Sequence, residues 1–131
     1  MPDHAAIEPE VNRIGRAVYD AAFEVHRNLG PGLLESVYKA CLADELARRG
    51  FSVRMEVPLP LVYKDTHLET GFRIDMLVSG VVVVEAKAIE ALHPVHEAQL
   101  LTYLKLSGHR LGYLINFNVA LMKDGIRRFV N

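Results

Sequence analysis

Two largely apolar runs, 72–78 and 81–87, stand either side of Ser79-Gly80, the second opening on four consecutive valines. Val and Ile are stiff at χ1 and pack well on a pleated surface, so each run reads as a strand and the pair as a hairpin. Charge is absent from the turn to the far end of the second run, where Glu85 and Lys87 stand two residues apart. Alternation sets those two on one face of the strand and Ala86 on the other. An acid and a base on a buried strand lose hydration, and partners must offset that cost. Asp75, on the first run, is an available third member. The plainer reading is a structural ion pair at a strand end, with Asp75 solvated.

Counting residues around the turn adds a condition. Directly opposite residues of an antiparallel pair point to the same face. A two-residue Ser79-Gly80 loop pairs Val78 with Val81 and Asp75 with Val84, which leaves Glu85 on the face away from Asp75. A three-residue loop, Ser79-Gly80-Val81, pairs Val78 with Val82 and sets Asp75 across from Glu85. Gly80 accepts the positive φ that such a loop needs. Convergence of the two carboxyls therefore requires an odd loop or a β-bulge between them.

The rest of the chain bounds the fold. At 131 residues it is expected to form a single domain, with residues 1–6 as a frayed tail. Half of the residues are hydrophobic and 24% are charged, as in ordinary globular domains. A net charge of −1 and a pI near 6.6 lack the basic excess of a dedicated nucleic-acid binder. The pairs Arg48-Arg49 and Arg127-Arg128 read as solvated surface. A lone Cys41 rules out an internal disulfide and suits a reducing cytoplasm. No apolar run reaches membrane-span length, and Asp3, His4 and Glu8 argue against a signal peptide.

Helical spacing of Val11, Ile14, Val18, Ala21, Ala22, Val25 and Leu29 predicts a helix over 9–29, with His26 at the surface; Gly30-Pro31-Gly32 ends it. A second helix is expected over 33–49, with Leu34, Val37, Tyr38, Cys41, Leu42 and Leu46 as its apolar stripe. Glu35 in its first turn suits the helix dipole. Residues 52–57 alternate Val53, Met55 and Val57 against Arg54 and Glu56, a strand with one buried face. Pro58 and Pro60 push residues 59–64 to a sheet edge. Residues 64–67 form a turn with His67 facing solvent. A third helix is expected over 94–107, its apolar side made by Leu100, Leu101, Leu104 and Leu106. His96, Gln99 and Tyr103 share one of its faces. His93 and His96 alone are a poor zinc pair. Strands over 110–117 and 126–130 complete the chain, and strand–helix–strand around 81–117 predicts a parallel crossover.

Asp75 followed by Glu85-Ala86-Lys87 resembles the site of the PD-(D/E)XK nucleases. Gly32-Leu33-Leu34-Glu35-Ser36-Val37-Tyr38 fits the pattern that names the GxxExxY family, a branch of that superfamily. The resemblance continues through Tyr63-Lys64, residues 73–78, Glu85-Ala86-Lys87-Ala88, residues 96–104 and Leu114-Ile115-Asn116-Phe117. It implies an α/β fold: a single mixed sheet flanked by helices, with an α-β-β-β-α-β core, an extra N-terminal helix and added strands. It also implies a metal-dependent nuclease. Asp75, Glu85 and the Ala86 carbonyl would hold Mg²⁺ or Mn²⁺, hard cations that take oxygen ligands and keep several waters. Glu35 would be a third acid, reaching the metal directly or through water. Lys87 would serve the attacking water. Gln99 and Tyr103 match a Gln-x-x-x-Tyr pattern of the exonuclease branch, which implies contact with substrate phosphate or with the site lysine. Tyr38, one turn after Glu35, joins them as a candidate for substrate contact, or is simply an aromatic at the core edge.

The expected partner is nucleic acid, DNA or RNA, with no membrane; monomer and homodimer are both left open. Two other functions suit the same residues. One is a catalytically silent binding or scaffold protein, favoured by the near-neutral charge. The other is hydrolysis of a small phosphorylated molecule.

Overall fold

The predicted helix over 9–29 forms as α1, Pro9–Leu29, with its apolar stripe buried from Ile14 to Val25 and Pro9 in its first turn. The protein is seen here as a computed structural model that describes residues 7–69 and 72–131. The expected tail, residues 1–6, lies outside the described residues. Helix α2 is Glu35–Arg48, one turn beyond the Gly30-Pro31-Gly32 bend. Its buried residues are Tyr38, Leu42 and Leu46. Leu34 and Val37, expected in the same stripe, are exposed at the N-terminal end of the helix. Arg48 and Arg49 pair with Asp44 and Glu45, one turn back.

A five-stranded sheet takes the order β1-β4-β5-β6-β7, formed by Val53–Pro58, Arg73–Val78, Val82–Lys87, Leu111–Asn116 and Ile126–Val130. Strands β5 and β6 are parallel, joined through α3, Pro94–Ser107, and the other neighbours are antiparallel. This is the mixed sheet with flanking helices that the sequence predicts. The short strands β2, Leu61–Tyr63, and β3, Thr66–Leu68, pair with each other in a second, two-stranded sheet. The expected turn over 64–67 is shorter than predicted, because Lys64 takes a φ of 55° and lets Tyr63 pair directly with Thr66.

Strand alternation divides the core. Met76, Val78, Val82, Val84, Ala86, Tyr113 and Ile115 face α1 and α2. Leu77, Val83 and Leu114 face Leu100, Tyr103 and Leu104 of α3. Helix α3 sits close to β6 because Gly112 has no side chain there: a Cβ would lie 3.2 Å from both Leu100 and Leu104. Leu106, expected on this apolar side, is 40% exposed at the last turn of α3. Met55 is also 40% exposed, so β1 lacks the continuous buried face its alternation predicts. The residue after it, Glu56, has a φ of 52°, which breaks the pleat at mid-strand. His26, expected at the surface, is buried with its Nε2 2.8 Å from the carbonyl of Val119. Among the described residues no helix is long and apolar enough to cross a membrane.

Candidate active site

The site begins at the turn between β4 and β5. Ser79 and Gly80 both have positive φ, 51° and 73°, and the Val81 N–H donates to the Val78 carbonyl at 3.1 Å. That is the geometry of a primed two-residue hairpin turn. Val78 then pairs with Val82, Leu77 with Val83 and Met76 with Val84, so Val81 is one extra residue. The odd count needed for convergence is thus met by a tight turn followed by a bulged residue. The ladder ends at Met76–Val84, and its count carried one step further would set Asp75 opposite Glu85.

At that step side chains take over backbone donors. The Asp75 N–H donates to Glu85 Oε2 at 2.8 Å, and the Ala86 N–H donates to Asp75 Oδ2 at 3.0 Å. Glu85 is only 5% exposed. Burial, joined by the negative charge of Asp75, pushes its carboxyl up to about 8, against the opposing pull of the Asp75 N–H and of Lys87 and Lys39. The Tyr103 hydroxyl of α3 is also raised, first by burial and then by the charges of Glu85 and Asp75. Both acids therefore lie within electrostatic reach of α3. Lys87 lies two residues beyond Glu85, half-buried, and makes no ion pair among the described residues.

Helix α2 and strand β1 close the other side. Lys39 Nζ lies 3.0 Å from Glu35 Oε2, 3.1 Å from Asp75 Oδ1 and 3.9 Å from Glu56 Oε1. Burial works against the Lys39 charge, but the hydrogen bonds to Glu35 and Asp75 outweigh it and raise its pKa. Glu35 is thus brought to Asp75 with an ammonium between them. Neither Lys39 nor Glu56 stood out in the sequence. Spacing of four along a helix signals the Glu35–Lys39 pair, but nothing local signals the reach to Asp75.

The remaining expected residues divide. Gln99 is half-buried on α3, one turn before Tyr103. Tyr38 has no surface through which to meet a substrate. It is fully buried, stacks on Phe117 at 4.7 Å, donates its hydroxyl proton to the Gly30 carbonyl at 2.5 Å and accepts the Leu33 N–H at 3.1 Å. His96 Nδ1 accepts the His93 N–H at 2.9 Å, which closes the first turn of α3. Asn116, 2% exposed, holds the segment after β5 by donating to the Ile89 carbonyl at 3.0 Å and accepting the Ile89 N–H at 3.1 Å.

Among the described residues no group of three or more His, Cys, Asp or Glu stands close enough to hold a metal ion. The oxygen donors at the strand ends are two carboxyls, Asp75 and Glu85, with the Ala86 carbonyl beside them. The N–H and C=O of one strand residue point to the same edge, and the Ala86 N–H points to Asp75. Two carboxyls, with Glu85 giving up its proton on binding, and a carbonyl suit an octahedral cation that keeps its remaining waters, and do not suit a four-ligand nitrogen or sulfur site.

A family model described as the PD-(D/E)XK nuclease superfamily matches residues 12–129. No curated protein and no solved structure matches the chain. With nearly its whole length matched, the chain belongs to the PD-(D/E)XK nuclease superfamily.

Proposed function

We propose that this member of the PD-(D/E)XK nuclease superfamily hydrolyses phosphodiester bonds in nucleic acid, with Mg²⁺ or Mn²⁺ held by Asp75, Glu85 and the Ala86 carbonyl. The observation that carries this reading is the side-by-side placement of Asp75 and Glu85, each fixed by a backbone N–H, with Lys87 two residues on along the same strand. Gly32, Glu35 and Tyr38 in the order of the GxxExxY pattern support placing the chain in that branch.

Each residue has a separate task. Asp75 and Glu85 place their oxygens before substrate arrives, because the backbone donors leave them little rotamer freedom. A divalent cation, when bound, supplies Lewis-acid polarisation of the phosphate and a more acidic water. The Lys87 ammonium holds the attacking water in line with the scissile bond or lowers its pKa by its charge. Tyr103 and Gln99 on α3 offer a hydroxyl and an amide to phosphate oxygens. Glu35 adds negative charge from the α2 side.

The test is cleavage of single-stranded DNA, duplex DNA and RNA by the purified protein with Mg²⁺ or Mn²⁺. Lys87→Ala should lose turnover while retaining metal, because the carboxyls remain. Activity equal to the parent would remove Lys87 from the mechanism. If parent and variant both leave every nucleic acid intact, the scaffold reading moves ahead, in keeping with the net charge of −1.

A further inference from the structure

Asp75 has a hydrogen-bond partner on each oxygen. Its Oδ2 accepts the Ala86 N–H, and its Oδ1 is 3.1 Å from Lys39 Nζ. The first partner is fixed in the backbone of β5 and cannot leave without moving the strand. The second is the end of a flexible side chain. Any cation that binds Asp75 through Oδ1 must approach an oxygen that already carries an ammonium, and two cations at that range repel strongly.

Lys39 also has other partners within reach. Glu35 Oε2 lies 3.0 Å from the same nitrogen, one turn back on α2, and Glu56 Oε1 lies 3.9 Å away. Glu56 stands there because β1 takes a φ of 52° at this residue, while the flanking pairs Met55–Met76 and Val57–Ile74 keep one register with no residue inserted. A positive φ is unfavourable for a residue with a Cβ, and here it accompanies an acid directed at Lys39. An ammonium released from Asp75 therefore keeps two carboxylates. Its 17% side-chain exposure, with Asp75 at 14%, means that without them it would lose its charge partner in a largely dehydrated place.

We propose that Lys39 is a built-in competitor of the divalent cation: it holds Asp75 through Oδ1 when no metal is bound, and metal entry moves it onto Glu35 and Glu56. The proposal rests on Asp75 and Glu85 being the cation site. Lys39 is a positioning residue in this scheme and sets how much free metal the site needs.

Binding of Mn²⁺ to the full chain, followed by isothermal titration calorimetry, tests it in the parent, Lys39→Met and Lys39→Arg, with the fold of each checked by circular dichroism. Lys39→Met should bind Mn²⁺ roughly tenfold tighter or more. Lys39→Arg keeps the charge and should bind no tighter than the parent, a rescue that a purely structural role would not produce. Binding by Lys39→Met alone also supports the proposal. Equal or weaker binding by Lys39→Met, in a parent whose binding is abolished by Asp75→Asn, overturns the competition and leaves the metal site standing. If no protein binds Mn²⁺, the metal site and the competition fall together.

Discussion

Asp75 and Glu85 each accept a backbone N–H from the other's strand, Asp75 N to Glu85 Oε2 at 2.8 Å and Ala86 N to Asp75 Oδ2 at 3.0 Å. The regular β4–β5 ladder is three pairs long, from Val78–Val82 to Met76–Val84. Beyond it the strands are held by these two side-chain bonds. Donors aimed at a carboxylate stabilise its charged form, yet Glu85 is so buried beside a second acid that its proton is retained to about pH 8.

This retention has a sign. The folded protein keeps the Glu85 proton up to about pH 8, whereas an unfolded chain releases it near 4.5. Between those values the folded state binds more protons, so stability falls as pH rises and levels off above about 8. The contribution is of the order of a few kcal/mol. Denaturant titrations with chelator between pH 5 and 9 should show the decline in the parent. Glu85→Gln should flatten it relative to the parent; parallel curves would contradict the buried, protonated Glu85.

Divalent metal should stabilise the fold. A ligand that binds only the native state at a hundredfold excess over its Kd adds about 2.7 kcal/mol, which for a domain of this size raises Tm by roughly 10 °C. Mn²⁺ or Mg²⁺ should produce a rise of that order in the parent and none in Asp75→Ala. A parent Tm unmoved by saturating metal would count against the site.

Tyr38 should matter for stability and not for substrate. Tyr38→Phe leaves the Gly30 carbonyl and the Leu33 N–H without their shared hydroxyl and should cost about 1–2 kcal/mol. Denaturant midpoints would measure that cost. The KM for any cleaved nucleic acid should stay within about twofold of the parent, and a large rise would return Tyr38 to the substrate surface.

Asn116 should hold the segment that leads from Lys87 to α3. Asn116→Ala removes both hydrogen bonds to Ile89 at a 2% exposed position and should cost about 2–3 kcal/mol. Hydrogen exchange at the Ile89 amide should accelerate with it, and an unchanged rate would mean that other contacts hold the segment.

Local pattern was enough for much of this fold. The period of α1, the apolar runs of β4 and β5 and the crossover through α3 follow from side-chain geometry that repeats within one element. So does the arithmetic of the hairpin, since a period of two leaves only odd insertions able to bring Asp75 opposite Glu85. Where two elements meet, that logic stops. Met55 alternates like a buried residue and is exposed, and at the next position Glu56 turns the backbone with a positive φ. His26 lies on α1 but is buried under a carbonyl contributed by Val119, far along the chain. Lys39 reads as one half of a helical ion pair with Glu35, and its second partner, Asp75, is 36 residues away. The acids and the strand lysine were written in the sequence because strand alternation places them. The cation between the acids was decided only when α2 docked on the sheet, since the distance from Lys39 to Asp75 depends on the packing of two elements and on the periodicity of neither.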